Sequence, residues 1–367
     1  MASSTAGNCC VCGHQTSQWC SKCSEGVDKD GNAAPTFYCG RECQAADYKD
    51  HSKGPCKAAN ARKQLYRGAL LLQDLFYAYR EIAFDLDMIN VEVKNGRLHV
   101  RERAFDAAHS GPLFRFPNHL VACPKDKAAL LTFGACGDGP GQMYELIKKV
   151  FQGIRHPDTE AIEAQHRVKK DHWRIIRTQG NGEVDRVDYR HEAIRVSLID
   201  SESYILDLAG AQYAREWFTG PPNLGWRANH NKEVLEGKHD DMIATNYDFR
   251  VPQIQAELTK RMNTAVQQWE KANDKTLTLM LKEKRASFEA NKDALIAAVT
   301  HEMRDYVDWT KTEVGVDSLN AAMDQMGLEE RSKKPKSDAD WFGMSEQTKD
   351  LLRKAKANRK DISFHYF

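Results

Sequence analysis

The sequence predicts an α+β protein, in which a small N-terminal cysteine-rich module precedes a mixed domain with antiparallel strands and long C-terminal helices. Eight metal-type ligands, seven cysteines and one histidine, cluster in the first 56 positions. Alternating apolar residues mark strands near the middle, and apolar residues at helical spacing follow Pro252. The expected divisions are residues 9–56 for the N-terminal module, 60–250 for an α+β domain, 252–330 for a long helical region, and 331–367 for a charged linker and a short C-terminal helix.

The N-terminal module carries closely spaced pairs of cysteines, which is the pattern typical of a zinc site. Two thiolates separated by two or three residues can hold one Zn²⁺ from a tight turn, and four such ligands complete a tetrahedron. Eight candidate ligands therefore indicate two closed sites with structural rather than catalytic roles. These ligands are Cys9, Cys12, Cys20, Cys23, Cys39, Cys43, His51 and Cys56. Spacing favours Cys9 over Cys10 in the first pair, so Cys10 is expected to be a thiol near the site.

A disulfide framework is the alternative interpretation of these cysteines, and two features of the sequence weigh against it. Residues 1–8 show neither a basic start nor an apolar stretch, so no secretory signal is expected there. After Cys56 only Cys123 and Cys136 remain. Zinc thiolates together with unpaired thiols predict a reducing, intracellular setting in the cytoplasm, the nucleus or both.

This segment resembles a MYND-type zinc finger across residues 9–56. The resemblance rests on the two C-x2-C pairs, on Tyr38-Cys39-x3-Cys43-Gln44, and on His51, which follows Cys43 in the same segment. It implies interleaved sites, with Cys9, Cys12, Cys39 and Cys43 on one zinc and Cys20, Cys23, His51 and Cys56 on the other. It also implies binding of short, often proline-containing peptides. Three features depart from the pattern: Tyr48 replaces the usual Trp, four residues separate His51 from Cys56, and the loop at residues 24–38 is long.

Composition narrows the class of protein. The formal net charge is +1, which argues against a nucleic-acid partner because such binders usually carry a marked basic excess. No apolar run approaches 18 residues, so no membrane span is expected. Residues 331–336, Arg-Ser-Lys-Lys-Pro-Lys, resemble a short basic import signal, with a solvated linker as the alternative.

Local patterns predict the elements of the mixed domain. A polar link at residues 57–63 leads into an amphipathic helix with Leu65, Leu72 and Phe76 on its apolar face. Asn95-Gly96 between two alternating runs predicts a β-hairpin. Further helices are expected at 125–133, 142–152 and 159–170, strands within 173–208, and one or two long helices over 252–309.

Outside the finger, one set of residues could carry chemistry. Cys136 lies in a glycine-rich turn before a predicted helix, where a helix N-terminus would stabilise a thiolate. A hairpin centred near residue 200 would place His191 and Asp207 on one face. The order Cys136, His191, Asp207 is similar to the core of transglutaminase-like and papain-like cysteine enzymes, over about residues 125–215. The alternative is a buried Cys136, with His191 and Asp207 at the surface or in hydrogen bonds.

A SET methyltransferase core, which also occurs beside MYND fingers, does not fit the sequence. Neither Asn118-His119 nor Asn229-His230 continues into the expected Ser-Cys, and no cysteine follows Cys136. The sequence therefore favours a zinc-binding adaptor or regulatory protein whose finger mediates protein–protein interaction. The alternative is a thiol-dependent acyl-transfer or hydrolytic enzyme that uses Cys136, His191 and Asp207.

Overall fold

We describe the fold from a computed structural model of the chain. It describes residues 6–104, 113–154, 162–167, 173–185, 190–198, 202–213, 224–226, 233–238, 253–312 and 315, with residues 162–167, 224–226 and 233–238 described by their backbone. Among these residues, no helix combines the length and the apolarity that crossing a bilayer requires. The expected segment at 331–367 and the basic run at 331–336 lie outside the described residues.

The N-terminal region is built from short elements that bring its cysteines together. Its elements are β1 (Gly7–Asn8), β2 (Gln15–Thr16), a 3-10 turn (Ser21–Cys23) and α1 (Arg41–Lys53). The two strands pair antiparallel, which brings Cys9 and Cys12 into one tight turn, and Gly13 in that turn has a φ of 78°. Gly54 ends α1, and the next helix starts at once.

Helix α2 (Pro55–Ile82) is the central element, and it is longer than the sequence predicts. Residues 57–63, expected to be a polar link, belong to its first turns. Pro55 occupies the first position of the helix, where its fixed φ favours helix and its missing N–H is not needed. Further along, Leu65, Leu72 and Phe76 are fully buried, as the apolar period predicts. Burial of each such side chain contributes about 1.5–3 kcal/mol.

Three C-terminal helices pack around α2. They are α6 (Gln253–Ala272), α7 (Leu277–Lys282) and α8 (Arg285–Thr310). The sequence predicts one or two helices here, whereas the structure has breaks at residues 273–276 and 283–284. Two features account for the first break. Asp274 adopts a positive φ of 47°, and the Thr276 side chain accepts the Leu279 N–H and so caps α7. Both α7 and α8 contact α2 and share its core.

A three-stranded sheet lies beside this helical core. It contains β3 (Met88–Lys94), β4 (Arg97–Glu102) and β6 (Ile175–Thr178) in the order β3-β4-β6. The predicted hairpin is confirmed: Asn95 and Gly96 have φ values of 51° and 74°, and Lys94 pairs with Arg97. Positive φ at both residues matches the twist of the two strands.

A five-stranded antiparallel sheet carries the middle of the chain. Its order is β10-β5-β7-β8-β9, from Glu233–Lys238, Ile162–Arg167, Arg190–Ser197, Ser203–Leu206 and Leu224–Trp226. The helix predicted at 159–170 is wrong, because residues 162–167 form β5. That strand pairs with β7 on one side and β10 on the other, and these partners override a composition that resembles a helix.

Three short α-helices lie between β4 and β5 in the described part of the chain. They are α3 (Pro124–Thr132), α4 (Asp138–Gln142) and α5 (Tyr144–Val150). The helix predicted at 125–133 is confirmed, and the one predicted at 142–152 corresponds to α5 with the separate turn of α4 before it. The mixture of helices and strands agrees with the predicted α+β class.

Candidate functional site

The first cluster of metal-type ligands joins residues from separate places in the N-terminal region. Cys9, Cys12, Cys39 and Cys43 bring their sulfurs within 4.8 Å of one another. The Cys12 and Cys39 sulfurs are 3.3 Å apart, and those of Cys39 and Cys43 are 3.5 Å apart. Zn–S bonds of about 2.3 Å in a tetrahedron give S–S edges of about 3.8 Å, so the spacing suits one metal ion.

The second cluster is buried and reaches into the helical core. It contains Cys20, Cys23, His51 and Cys56, all buried, with their ligand atoms within 4.8 Å of one another. The Cys23 sulfur lies 3.4 Å from Nε2 of His51. His51 comes from α1 and Cys56 from the first turn of α2. The two groups are the interleaved sets that the resemblance implies.

The chemistry of both donor sets fits a divalent cation. Main-chain hydrogen bonds, above all from Cys12, lower the pKa of Cys9 to about 6 and so favour its thiolate. In the buried cluster, burial and the neighbouring Cys20 raise the pKa of Cys23 to about 12. Thiols packed this closely cannot all ionise unless a cation offsets their charges, and coordination to a metal deprotonates a thiol outright. All ten cysteines lie in the described residues, and none forms a disulfide.

Cys10 stays outside both clusters, as its spacing predicts. Its sulfur lies 3.5 Å from a carboxylate oxygen of Asp47, and burial together with that carboxylate raises the pKa of the Cys10 thiol. The Tyr38 hydroxyl donates to the same oxygen over 2.7 Å, and the Tyr38 ring stands edge-on to His51 at 5.8 Å. Tyr38 thus connects Asp47, which lies beside Cys10, with His51 of the second cluster.

Several side chains fix the finger to the rest of the chain, and their role is not evident from the sequence. Glu25, two residues after Cys23, pairs with Arg67 of α2 over 2.9 Å. Arg67 also donates to the carbonyls of Leu281 and Glu283 at the end of α7. The sequence does not show whether a charged residue on the polar side of α2 pairs with another residue of the protein or faces solvent.

His191 and Asp207 meet as the predicted hairpin parity requires. Ile194 pairs with Leu206 in the β7-β8 register, so odd-numbered residues of both strands share the opposite face. Nε2 of His191 lies 2.5 Å from Oδ2 of Asp207, and the two side chains are 0% and 1% exposed. The pair is therefore a buried hydrogen bond rather than a surface contact.

Other groups hold this pair in place. Oδ1 of Asp207 accepts the Ala209 main-chain N–H over 3.0 Å, so both carboxylate oxygens are bonded. The Tyr213 ring stands edge-on to the His191 ring, with centroids 4.7 Å apart. Tyr213 follows a 3-10 turn at Gly210–Gln212, shortly after the hairpin. This turn gives no periodic signal, which is why Tyr213 was not predicted.

Cys136 lies beside the same strand. The Glu192 main-chain N–H hydrogen-bonds to its sulfur, and Glu192 is the neighbour of His191 in β7. Cys136 is half-buried and packs against the main core. Burial, followed by the Glu192 carboxylate, raises the pKa of the thiol far above its ordinary value. The expected helix N-terminus is only the five-residue α4, too short for a substantial dipole.

Arg80 fixes the turn that contains Cys136. Its side chain is 1% exposed and pairs with Asp138 over 2.8 Å and with Asp85 over 2.9 Å, and its Nε donates to the Leu131 carbonyl. These carboxylates raise the pKa of Arg80 despite its burial. In the sequence, Arg80 and Gln73 interrupt the apolar face of α2 one heptad apart, and both are buried. Polar residues that interrupt the apolar face of a helix indicate that the core contains hydrogen-bond partners for them.

Comparison with known proteins gives no match. No family model matches the chain, and no significant match appears among curated proteins or solved structures.

Proposed function

We propose that this protein binds two structural zinc ions and uses the zinc-ordered finger to bind short peptide segments of partner proteins, as an adaptor or regulatory protein. The observation that carries the proposal is the arrangement of eight ligands in two compact groups. Both groups complete a set of four N and S ligands, which closes a zinc site and provides no open position for substrate. The MYND-type resemblance of residues 9–56 supports the recognition role.

Zinc supplies folding energy that the finger itself cannot. Apart from the ligands, its core consists of Tyr38 packed with Ala59 of α2. In small modules of this kind, metal binding contributes about 10–16 kcal/mol and is inseparable from folding. The recognition surface would therefore exist only in the zinc-loaded protein.

The finger exposes large apolar side chains that a peptide could cover. Val11, Trp19 and Tyr48 are 47%, 42% and 53% exposed. Trp19 stands edge-on to Phe37 with centroids 6.0 Å apart, which holds the indole at the surface. An exposed aromatic ring offers proline a flat partner, and aromatic-lined surfaces are a common way to bind proline-rich segments.

The test uses the full-length, zinc-loaded protein and an array of peptides with and without proline. We expect binding to a subset of proline-containing peptides, loss of that binding on chelation, and a reduction of about tenfold or more in Trp19→Ala, the size typical of an aromatic anchor. The matched control is Trp309→Ala, because Trp309 is 39% exposed but lies in α8. Binding that survives chelation, or that falls equally in both variants, would contradict the proposal.

A further inference from the structure

The buried His191–Asp207 pair has no part in zinc binding or peptide recognition. Asp207 bonds His191 through one oxygen and the Ala209 N–H through the other. Taking a carboxylate out of water is expensive, and a well-packed apolar pair of similar size is often at least as stable. A buried pair of ionisable side chains that stability does not require is therefore a candidate for a catalytic role.

The hydrogen bonds define which nitrogen of His191 acts as the base. Oδ2 of Asp207 accepts from Nε2, so the neutral imidazole carries its proton on Nε2 and its lone pair on Nδ1. Any proton that His191 takes from a third group therefore goes to Nδ1. The edge-on contact with the Tyr213 ring fixes the plane of the imidazole. This is how a carboxylate orients a catalytic base.

Cys136 supplies a nucleophile on the neighbouring turn. Its sulfur is hydrogen-bonded by the main chain of residue 192, next to His191. The turn is fixed on both sides: the Gly134 N–H donates to Oε1 of Gln212 over 3.1 Å, and Asp138 pairs with Arg80.

We propose that Cys136, His191 and Asp207 form a nucleophilic site that transfers acyl groups from carboxylic esters, thioesters or amides to water or to a primary amine. His191 accepts the thiol proton at Nδ1 while the sulfur bonds to the carbonyl carbon. Collapse of the adduct breaks the bond to the leaving alcohol, thiol or amine, which takes that proton from His191. Water or an amine then attacks the thioester and returns its proton through His191, which releases the product and restores the thiol.

The state of the thiol at rest makes the role of His191 essential. Because burial raises the pKa of Cys136, its thiol is protonated before reaction. Reaction then depends on proton transfer to His191 in the same step, not on a stored thiolate. A simple alkylating reagent should consequently label Cys136 slowly, whereas an acyl donor should reveal the action of the base.

Asp207→Asn is the most informative variant because the Ala209 N–H dictates how the amide is oriented. The amide oxygen must face that N–H, so the NH₂ group faces Nε2 of His191. Nε2 then has to accept, the proton moves to Nδ1, and the base is lost while the shape is kept. In a serine protease, the same exchange of aspartate for asparagine lowers the rate by about 10⁴.

The experiment treats the full-length, zinc-loaded protein with p-nitrophenyl acetate, follows p-nitrophenolate release, and maps acetyl groups by peptide mass spectrometry. We expect acetylation at Cys136, none there in Cys136→Ala, and a rate on the order of 10²–10⁴ lower in Asp207→Asn and His191→Gln. Cys123→Ser should leave the rate of acetylation at Cys136 unchanged, since Cys123 is an exposed thiol at the start of α3 and has no contact with the site.

Thermal unfolding and metal content establish that each variant is folded. If His191→Gln fails to fold, the nearly isosteric Asp207→Asn decides the question. A wild-type protein without acetyl at Cys136, or a folded Asp207→Asn that is acetylated at the wild-type rate, would overturn the proposal. Neither outcome bears on zinc binding or on peptide recognition.

Discussion

The contact between Glu25 and Arg67 should determine how strongly the finger stabilises the rest of the protein. Oε2 of Glu25 accepts from Arg67 over 2.9 Å, and Oε1 accepts the Arg285 main-chain N–H over 3.1 Å. The Arg67 guanidinium also lies 4.9 Å from the centre of the Phe288 ring. One side chain of the finger is thus bonded to α2 and α8 together. Glu25→Gln keeps the acceptor for the Arg285 N–H, and it removes both the charge and the oxygen that accepts from Arg67.

The magnitude follows from the burial of the pair. The Arg67 and Glu25 side chains are 11% and 29% exposed. Exposed pairs contribute below about 1 kcal/mol, and breaking a fully buried pair costs about 3–5 kcal/mol. We therefore expect Glu25→Gln to lower the free energy of unfolding by about 1–2 kcal/mol. At about 2–4 °C per kcal/mol for a domain of this size, the unfolding temperature should fall by about 2–8 °C.

The contribution of Glu25 to stability depends on pH. Burial opposes the charge of Glu25, but hydrogen bonds from the Arg285 N–H and from Arg67 outweigh it and lower the pKa of the carboxyl. A lowered pKa means that the contribution is complete above the unfolded value of about 4.3 and is lost as pH falls through the folded value. The difference between wild type and Glu25→Gln should therefore narrow as the pH falls below about 4.3 and vanish once the pH is below the folded pKa of Glu25.

Differential scanning calorimetry of the zinc-loaded protein at neutral pH measures the effect. The matched control is Glu42→Gln, which makes the same charge change at an exposed position of α1. In protein stripped of metal, the two variants should unfold alike, because a disordered finger no longer presents Glu25 to Arg67. Equal shifts in the two zinc-loaded variants, or a Glu25→Gln shift that persists after chelation, would refute the reasoning.

Three further outcomes are expected. Cys39→Ala should remove one equivalent of metal and disorder the turn around Cys12, while the second site keeps its metal. Metal analysis with hydrogen exchange measures both effects, and loss of both metals would contradict the prediction. Cys56→Ser should lower the unfolding temperature of the whole protein more than Cys12→Ser, since only Cys56 lies in α2; equal calorimetric shifts would argue against this coupling. Gly96→Ala should cost about 1 kcal/mol in urea unfolding because of its φ of 74°, and an unchanged midpoint would refute that strain.

The sequence predicts the features that depend on local spacing. The spacing of the eight ligands indicates close pairs and so two sites, because a tetrahedron needs pairs that share a turn. Which pairs share one metal is implied only by the MYND-type resemblance. Asn95-Gly96 determines a hairpin, since few other dipeptides adopt positive φ twice. The parity of His191 and Asp207 follows from the two-residue period of a strand. Each of these predictions requires only neighbours in sequence or a single turn.

Features that depend on distant partners could not be predicted in this way. Residues 162–167 resemble a helix, and they are a strand because β7 and β10 pair with them on both sides. The helix that begins at Pro55 includes residues 57–63 because Ala59 packs against the finger and Ala61 against the main core. The pKa of Cys136 depends on packing around the thiol, which is not visible in the glycine-rich turn itself.

Native mass spectrometry of the full-length protein, purified without chelator, tests the central claim most directly. The ligand geometry predicts two zinc ions per chain, held by Cys9, Cys12, Cys39 and Cys43 and by Cys20, Cys23, His51 and Cys56. Both should be lost under denaturing conditions, with a mass that shows ten reduced cysteines. One zinc or none in the folded protein, or disulfide bonds among these ligands, would contradict it.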